Sequence, residues 1–446
     1  MPQKLFRDPL YDYISLDKKK DSWLLKLINC PEVQRLRYIN QLGLSHFTYP
    51  GASHSRFSHT LGVFHLMQQC LKHLNKEYGD YFSNGDEDAL LAAALLHDVG
   101  HGPFSHTTEN FFGNHEKRAV TIIADPESSV NRLLTGVNKE LPAKVAALVS
   151  EEMPKKNPPV LWQRALISSQ LDLDRLDFLR RDSLFSGAEY GNFDWYRIIH
   201  TMRLTELTED IQKIWVFWPD KTKYAIEEYL FSRFYMYQSV YYHHTTRGFE
   251  KLLEKILERA KQLVSQNNDI FGNSVLPLVK PFLQKDKEPT LRQFLNLTDY
   301  VLLTQVSVWK NVEDPILSDL STKFFDREND GLFKVAYKSD VTDKSPMITK
   351  IFEKEKNARE YLQENNLDPD YYLLKDEFDV EVYKPYVPEL EPGIFTPENV
   401  IMISEDTKIQ EICNVLPRLR SVTKELWTAR YYCPEEHKGQ IKKLLS

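Results

Sequence analysis

From Asp21 to about Leu263, apolar side chains recur every third or fourth position, the spacing of one face of an α-helix. Pro31 suits the first turn of a helix running through Glu32–Leu42. Leu61, Phe64, Met67, Leu71 and Leu74 mark a second helix. Asp86 and Asp88 open a third, Ala89–Asp98, which is apolar almost all round and is therefore predicted to be central. Gly100, Gly102 and Pro103 forbid its continuation. Further helices are predicted over about Pro142–Glu151, Leu161–Arg181 and Tyr224–Val264. Past about residue 330 the pattern changes. Leu332–Tyr337, Phe378–Lys384 and Val400–Ser404 read as short strands, and a charged helix, Met347–Asn365, lies between the first two. Linkers are expected at Gln284–Pro289 and at the proline-rich Pro385–Pro397. The prediction is a mainly α protein: a helical core over 1–265, a helical extension over 266–330 and a small α+β C-terminal domain over 331–446.

At 446 residues the chain exceeds one compact core and suggests two or three domains. Its 23 Tyr and 24 Phe suffice to fill a core and line a pocket. A net charge of −7 gives no global field toward nucleic acid, so any polyanion site must be local. The four cysteines, Cys30, Cys70, Cys413 and Cys433, are far apart and form no CxxC pair, which reads as reduced thiols in a cytoplasmic protein. The longest apolar run, Ala89–Leu96, is far too short to span a bilayer, and the N-terminal residues lack an apolar signal segment. A soluble protein without a membrane partner is expected.

The central chemical signal is His97-Asp98 at the end of the apolar helix, with His59 upstream in Arg56-Phe57-Ser58-His59 and Asp174 downstream in Leu171-Asp172-Leu173-Asp174. Any one of these residues alone would more often be a paired or structural side chain. Their accumulation changes the reading, because an ionisable pair closing so apolar a helix is costly unless paired or metal-bound. Eight of the 13 histidines fall between His54 and His115. Two imidazoles and two carboxylates make a mixed nitrogen–oxygen site suited to Mn, Fe or Mg; zinc ranks behind these because it usually takes fewer ligands. Gly100 and Gly102 are expected to let the backbone turn sharply and carry His101 and His106 past the ion.

Several longer stretches point the same way. Gln34-Arg35-Leu36-Arg37-Tyr38-Ile39-Asn40-Gln41-Leu42-Gly43 is followed by Tyr49-Pro50-Gly51-Ala52-Ser53-His54-Ser55-Arg56-Phe57-Ser58-His59. His97-Asp98-Val99-Gly100-His101-Gly102-Pro103-Phe104-Ser105-His106, His115-Glu116 and Asp174-Arg175-Leu176-Asp177-Phe178-Leu179-Arg180-Arg181-Asp182 come after them. Over about residues 5–260 the chain resembles the HD-domain deoxynucleoside triphosphate (dNTP) triphosphohydrolases, the group that includes the mammalian sterile-alpha-motif/HD enzyme and shorter bacterial relatives. With no sterile-alpha-motif segment ahead of the match, it looks like a bacterial member.

The resemblance implies an HD-domain core with His59, His97, Asp98 and Asp174 as metal ligands. It implies His115 with Glu109 as the acid–base pair, and His106 beside the α-phosphate, with His101 in the same catalytic group. Arg56, Arg175 and Arg233 would hold phosphates. Gln41 and Asp182 would meet the sugar 3′-hydroxyl, while Leu42 and Tyr241 would crowd the 2′ position. Arg233, Tyr237, Tyr241 and His243 fall on an aromatic helix, Tyr229–His244, where a spacing of four puts the first three on one face. Asn29, Gln34 and Arg37 occupy the family's effector motif. Asn29 stands where regulated relatives have Asp; an amide offers one acceptor where a carboxylate can take both guanine donors, which weakens the case for a guanine nucleotide effector. The resemblance also implies a homo-oligomer, dimer or tetramer.

The implied reaction is in-line attack of an activated water on the α-phosphorus. His115 protonates the departing 5′-oxygen, and inorganic triphosphate is released. Two alternatives stand beside it. One is an HD phosphohydrolase acting on another nucleotide, as a nucleotidase or phosphodiesterase; the other is a nucleic-acid-binding protein using the arginines as phosphate contacts, which the negative net charge disfavours.

Overall fold

The computed structural model describes residues 2–79, 84–150, 158–205, 214–266, 275–284, 289–326, 333–341, 345–380, 383, 400–405, 408–421 and 426–446. The chain is mainly helical, with a smaller β-containing region in its C-terminal part. Its centre is a pair of helices, α1 (Arg56–Tyr78) and α2 (Asn84–Leu96). Ala89, Leu90 and every residue from Ala92 to Leu96 are buried, as the all-round apolar pattern predicts. Ser55 starts α1 by accepting the Ser58 N–H on its side chain. Helix Leu141–Val149 packs on α2 and on α3 (His115–Ala124).

Three predicted helices are broken, each for a local reason. The helix expected through Glu32–Leu42 covers only Pro31–Gln34, tightens to a 3₁₀ turn over Arg35–Tyr38 and becomes extended at Ile39. Buried Arg35 donates to the carbonyls of His101 and Leu297, drawing the segment against distant backbone, and Gly43 turns with φ of 50°. The helix expected over Leu161–Arg181 splits into Leu161–Ile167 and α4 (Leu173–Ser186). Asp172 accepts N–H groups from both Ser169 and Arg175, so side-chain bonding replaces one turn of helix and caps the next. The long helix expected over Tyr224–Val264 is α5 (Lys223–Met236), a wider π turn over Tyr237–Tyr241, and then α6 (His244–Ser265). His243 leaves the aromatic helix and caps α6 by accepting from Thr245 N–H at 3.2 Å.

An N-terminal hairpin of β1 (Gln3–Asp8) and β2 (Asp12–Asp17) was not signalled by clean alternation. It turns on Asp12, whose φ of 65° a short polar side chain tolerates. Two further strands, β3 (Arg203–Leu204) and β4 (Val216–Pro219), also fall inside the stretch read as helical. In the tail, the expected strands are β5 (Phe333–Val341), β6 (Leu374–Val380) and β7 (Met402–Glu405), and the charged helix spans Ser345–Glu364. They are joined by β8 (Lys408–Glu411) and β9 (Leu426–Pro434). β9 is the centre of an antiparallel sheet ordered β5-β9-β6. The second sheet, β3-β4-β7-β8, pairs β4 with β7 in parallel, Trp218 opposite Ile403. It therefore crosses the boundary drawn at residue 331. The linker predicted at Pro385–Pro397 and most of Gln284–Pro289 lie outside the described residues.

Among the described residues no helix is long and apolar enough to cross a membrane. The four cysteines are buried free thiols.

Candidate functional site

Four side chains from three helical segments converge. His59 comes from the first turn of α1, His97 and Asp98 from the turn that ends α2, and Asp174 from the first turn of α4. His59 Nε2 lies 3.3 Å from His97 Nε2 and 2.9 Å from Asp174 Oδ1. His97 Nε2 is 3.5 Å from Asp98 Oδ1 and 3.6 Å from Asp174 Oδ1. Asp98 Oδ2 reaches His59 Nε2 at 3.8 Å and accepts from Arg56 Nη1 at 2.7 Å.

The donor set fits a divalent ion. His97 Nδ1 donates to the Ala94 carbonyl at 3.0 Å, and His59 Nδ1 donates to Asp177 Oδ2 at 2.8 Å. Both rings therefore turn Nε2 inward, where two neutral imidazoles would set lone pair against lone pair. A proton between them relieves this. Burial opposes a charged His59, but hydrogen bonds to Asp174 and Asp177 and their charges push its pKa up to about 10. Burial would raise the Asp174 carboxyl, but hydrogen bonds from His59 and His97 and the charge on those rings hold it far below the usual range. A divalent cation can take the place of that proton.

Behind the cluster stands a second tier. Asp177 is held by Arg181 through Nε at 2.8 Å and Nη2 at 2.9 Å, and Arg181 Nη1 donates to Asp8 of the N-terminal hairpin at 2.9 Å. Gly62, on α1 beside this pair, admits no side chain: a Cβ would stand 1.9 Å from Asp177 Oδ1. Carboxylates behind a ligating imidazole fix its tautomer and raise its basicity. Asp177→Asn is expected to weaken divalent-ion affinity by roughly 10–100-fold, read by competition with a chelator. Unchanged affinity would remove Asp177 from this role.

Next to the cluster lie three further histidines, His101, His106 and His115. His101 Nε2 donates to Asp98 Oδ1 at 3.1 Å, and its ring stacks on His115 at 3.9 Å and 14°. Burial, and then the Arg56 charge, push His101 well below its ordinary pKa, so its ring is neutral. His115 Nδ1 bonds Glu109 Oε1. Burial would raise the Glu109 carboxyl, but hydrogen bonds from His106 and His115 hold it far below its usual range. His106 stands at the rim, its side chain 74% exposed and its Nδ1 3.6 Å from Glu109. The glycines act differently from the expectation. The left-handed turn falls on Phe104 (φ 50°) and Ser105 (φ 26°), not on Gly100 or Gly102. Gly100 serves close packing, since a Cβ there would lie 2.0 Å from the His115 carbonyl oxygen.

That turn is anchored from far along the chain. Asp299, buried at the start of helix α7 (Asp299–Trp309), accepts the Phe104 N–H at 3.0 Å and the Asn40 N–H at 2.7 Å. Burial pushes its carboxyl up to about 7.

Three arginines keep part of their hydrogen-bonding capacity unspent. Among the described residues, the buried Nε of each of Arg56, Arg175 and Arg233 has no hydrogen-bond partner. Arg175 also bonds Asp172, the ion pair that its sequence context allowed. Arg233 Nη1 donates to Gln170 Oε1 at 3.0 Å, and its guanidinium lies 5.7 Å from the Tyr237 ring centre. Tyr237 meets Tyr241 edge-on at 5.0 Å. Tyr241 donates its hydroxyl to Asp182 Oδ2 at 2.8 Å, and His54 Nε2 lies 2.7 Å from Asp182 Oδ1. Among the described residues the buried Oε1 of Gln41 has no partner, and Leu42 beside it is buried. Asn29, Gln34 and Arg37 form a separate group. Asn29 closes helix Ser22–Ile28, Gln34 donates to Ile28 O at 2.8 Å and accepts from Arg37 Nε at 2.8 Å, and Arg37 covers Phe57.

Sequence reading did not single out Asp177, Arg181, Asp8, His54, Asp172 or Asp299. Asp177 and Arg181 stand within the motif around Asp174, so their signal was present; Asp8 and Asp299 carry none, being joined to the site only by folding.

A helical core presenting this histidine–aspartate cluster defines a metal-dependent phosphohydrolase. Residues 56–182 match the HD domain, and residues 193–271 match the HD associated region. The chain is 35% identical to the protein YwfO of Bacillus subtilis, over 86% of this chain and 82% of that one. It is 30% identical to the deoxynucleoside triphosphate triphosphohydrolase SAMHD1 of Homo sapiens, over 47% of this chain and 37% of that enzyme. A solved phosphohydrolase from Bacteroides thetaiotaomicron has a TM-score of 0.75 at 29% identity, covering 97% of this chain and 100% of that one. The chain belongs to the HD-domain phosphohydrolase family.

Proposed function

We propose that the protein hydrolyses dNTPs to deoxynucleoside and inorganic triphosphate in the cytoplasm. The observation that carries this reading is the buried guanidinium Nε of each of Arg56, Arg175 and Arg233, without a hydrogen-bond partner among the described residues, in a chain whose histidine–aspartate cluster Arg56 meets through Asp98. Buried donors without partners are costly, and a polyphosphate satisfies them with matched geometry.

His59, His97, Asp98 and Asp174 would hold the divalent ion, Mn, Fe or Mg before zinc. When bound, such an ion polarises a phosphoryl oxygen and acidifies water. The remaining work belongs to the chain. Glu109 holds the proton on His115 Nδ1, so a charged His115 can release its Nε2 proton to the departing 5′-oxygen. His101 braces the His115 ring by stacking, and His106 at the rim meets the α-phosphate. The three arginines neutralise the triphosphate as it leaves. Gln41 and Asp182 take the 3′-hydroxyl, and Leu42 and Tyr241 fill the space a 2′-hydroxyl would need. Assembly as a homo-oligomer, and an effector nucleotide at Asn29, Gln34 and Arg37, are part of the same proposal; the amide at Asn29 speaks against strict guanine selection.

Product analysis of the purified protein with each dNTP and each metal tests the reading. Deoxynucleoside and inorganic triphosphate in equal amounts are expected. Phosphate or pyrophosphate as the product would redirect the site to another nucleotide chemistry. No turnover, together with tight and salt-sensitive binding of single-stranded DNA, would favour a nucleic-acid-binding role.

A further inference from the structure

We propose that His54 is a positioning residue for the sugar: it sets Asp182 and Gln41 in the arrangement that selects a nucleotide carrying a 3′-hydroxyl. The inference rests on the sugar-pocket reading above and adds a residue to it. His54 is 5% exposed. Its backbone carbonyl accepts the Gln41 N–H at 3.0 Å, and the Asn40–Ser55 bridge extends that pairing by one residue on each strand. Its side chain works in the other direction, with Nε2 donating to Asp182 Oδ1 at 2.7 Å. The ring lies flat on Phe185, at 4.5 Å and 20°, which fixes its plane. One buried residue thus touches both groups assigned to the 3′-hydroxyl, although Gln41 and Asp182 stand far apart in the chain.

The consequence follows from how a carboxylate binds. Asp182 receives one donor on each oxygen, His54 on Oδ1 and Tyr241 on Oδ2, so its plane is set before any sugar arrives. Each oxygen keeps a further lone pair for an incoming hydroxyl. A preset carboxylate gains a strong bond from a sugar with a 3′-hydroxyl and is left short of a partner by one without it. Without the His54 N–H, Asp182 is held from one side only, and that difference shrinks.

The test compares kcat/KM for a dNTP with that for the matching 2′,3′-dideoxynucleotide, following triphosphate release. His54→Phe keeps the ring on Phe185 and the carbonyl on Gln41 but has no donor. Wild type is expected to favour the dNTP, and His54→Phe to reduce that preference by about tenfold or more, mainly through the dNTP value. His54→Gln, which restores an N–H, should recover part of it, a response that a general loss of packing would not give. A folded His54→Phe protein with the wild-type preference overturns the inference and leaves the substrate reading intact. Wild type that releases no triphosphate overturns both. If His54→Phe fails to fold, His54→Leu is measured in its place against the same outcomes.

Discussion

Asp174→Ala is expected to strip the protein of its divalent ion and to lower turnover by ~10³-fold or more, because several kcal/mol of charge stabilisation depend on that ion. Asp174 meets both imidazoles through a single oxygen, Oδ1, at 2.9 Å from His59 Nε2 and 3.6 Å from His97 Nε2. Its side chain is 28% exposed, so its removal leaves room for water and spares the core. The substitution also removes the charge that offsets two facing Nε2 atoms, leaving the rings without a carboxylate on that side. Asp174→Asn separates the effects: it keeps the shape, loses the charge, and should retain ion only at raised metal concentration. Metal content of the purified variants, with circular dichroism to verify folding, is the measurement. An Asp174→Ala protein that keeps a full complement of ion would remove this residue from the ligand set.

His115→Ala is expected to retain the ion and lose kcat by roughly 10²–10⁴-fold, the usual contribution of a positioned general acid. The separation of the two effects is the point. His115 is stacked on His101 and bonded to Glu109, but it makes none of the contacts that join His59, His97, Asp98 and Asp174. Glu109→Gln should fall between wild type and His115→Ala. The amide can still orient the ring, but it carries no negative charge to face the imidazole as the proton is given. Near-normal turnover in His115→Ala with ion intact would take the acid role away from this residue. Joint loss of ion and activity would instead draw His115 into the metal site.

Much of the site was legible before folding, and the reason is local. His97 and Asp98 close a helix with almost no polar face, and Arg56 and His59 share a face at a spacing of three, so helical period alone brings them toward one place. Of the tail strands, β5, β6 and β7 were legible from short apolar runs, although β5 and β6 begin and end a few residues away from the expected limits, whereas β8 and the central β9 were not singled out. The breaks in the helices were hidden for an equally local cause: the bonds that Asp172 makes to Ser169 and Arg175 compete with helix in a way that hydrophobic period does not register. Other features have no local signal. Asp8 reaches Arg181 across 173 residues, and Asp299 reaches the Phe104 turn across 195. The β4–β7 pairing joins residues 216–219 to 402–405 and cannot be seen in either segment alone. The glycines show the limit of residue-type reasoning. Gly100 was read for its turn, whereas its missing side chain makes room for the His115 carbonyl.

The central claim is that one divalent ion is held jointly by His59, His97, Asp98 and Asp174. Anomalous scattering from crystals grown with manganese tests this directly. A single peak within coordination distance of a nitrogen from each histidine and an oxygen from each aspartate is the predicted result. A manganese peak elsewhere, with these four side chains still bonded only to one another, would contradict it.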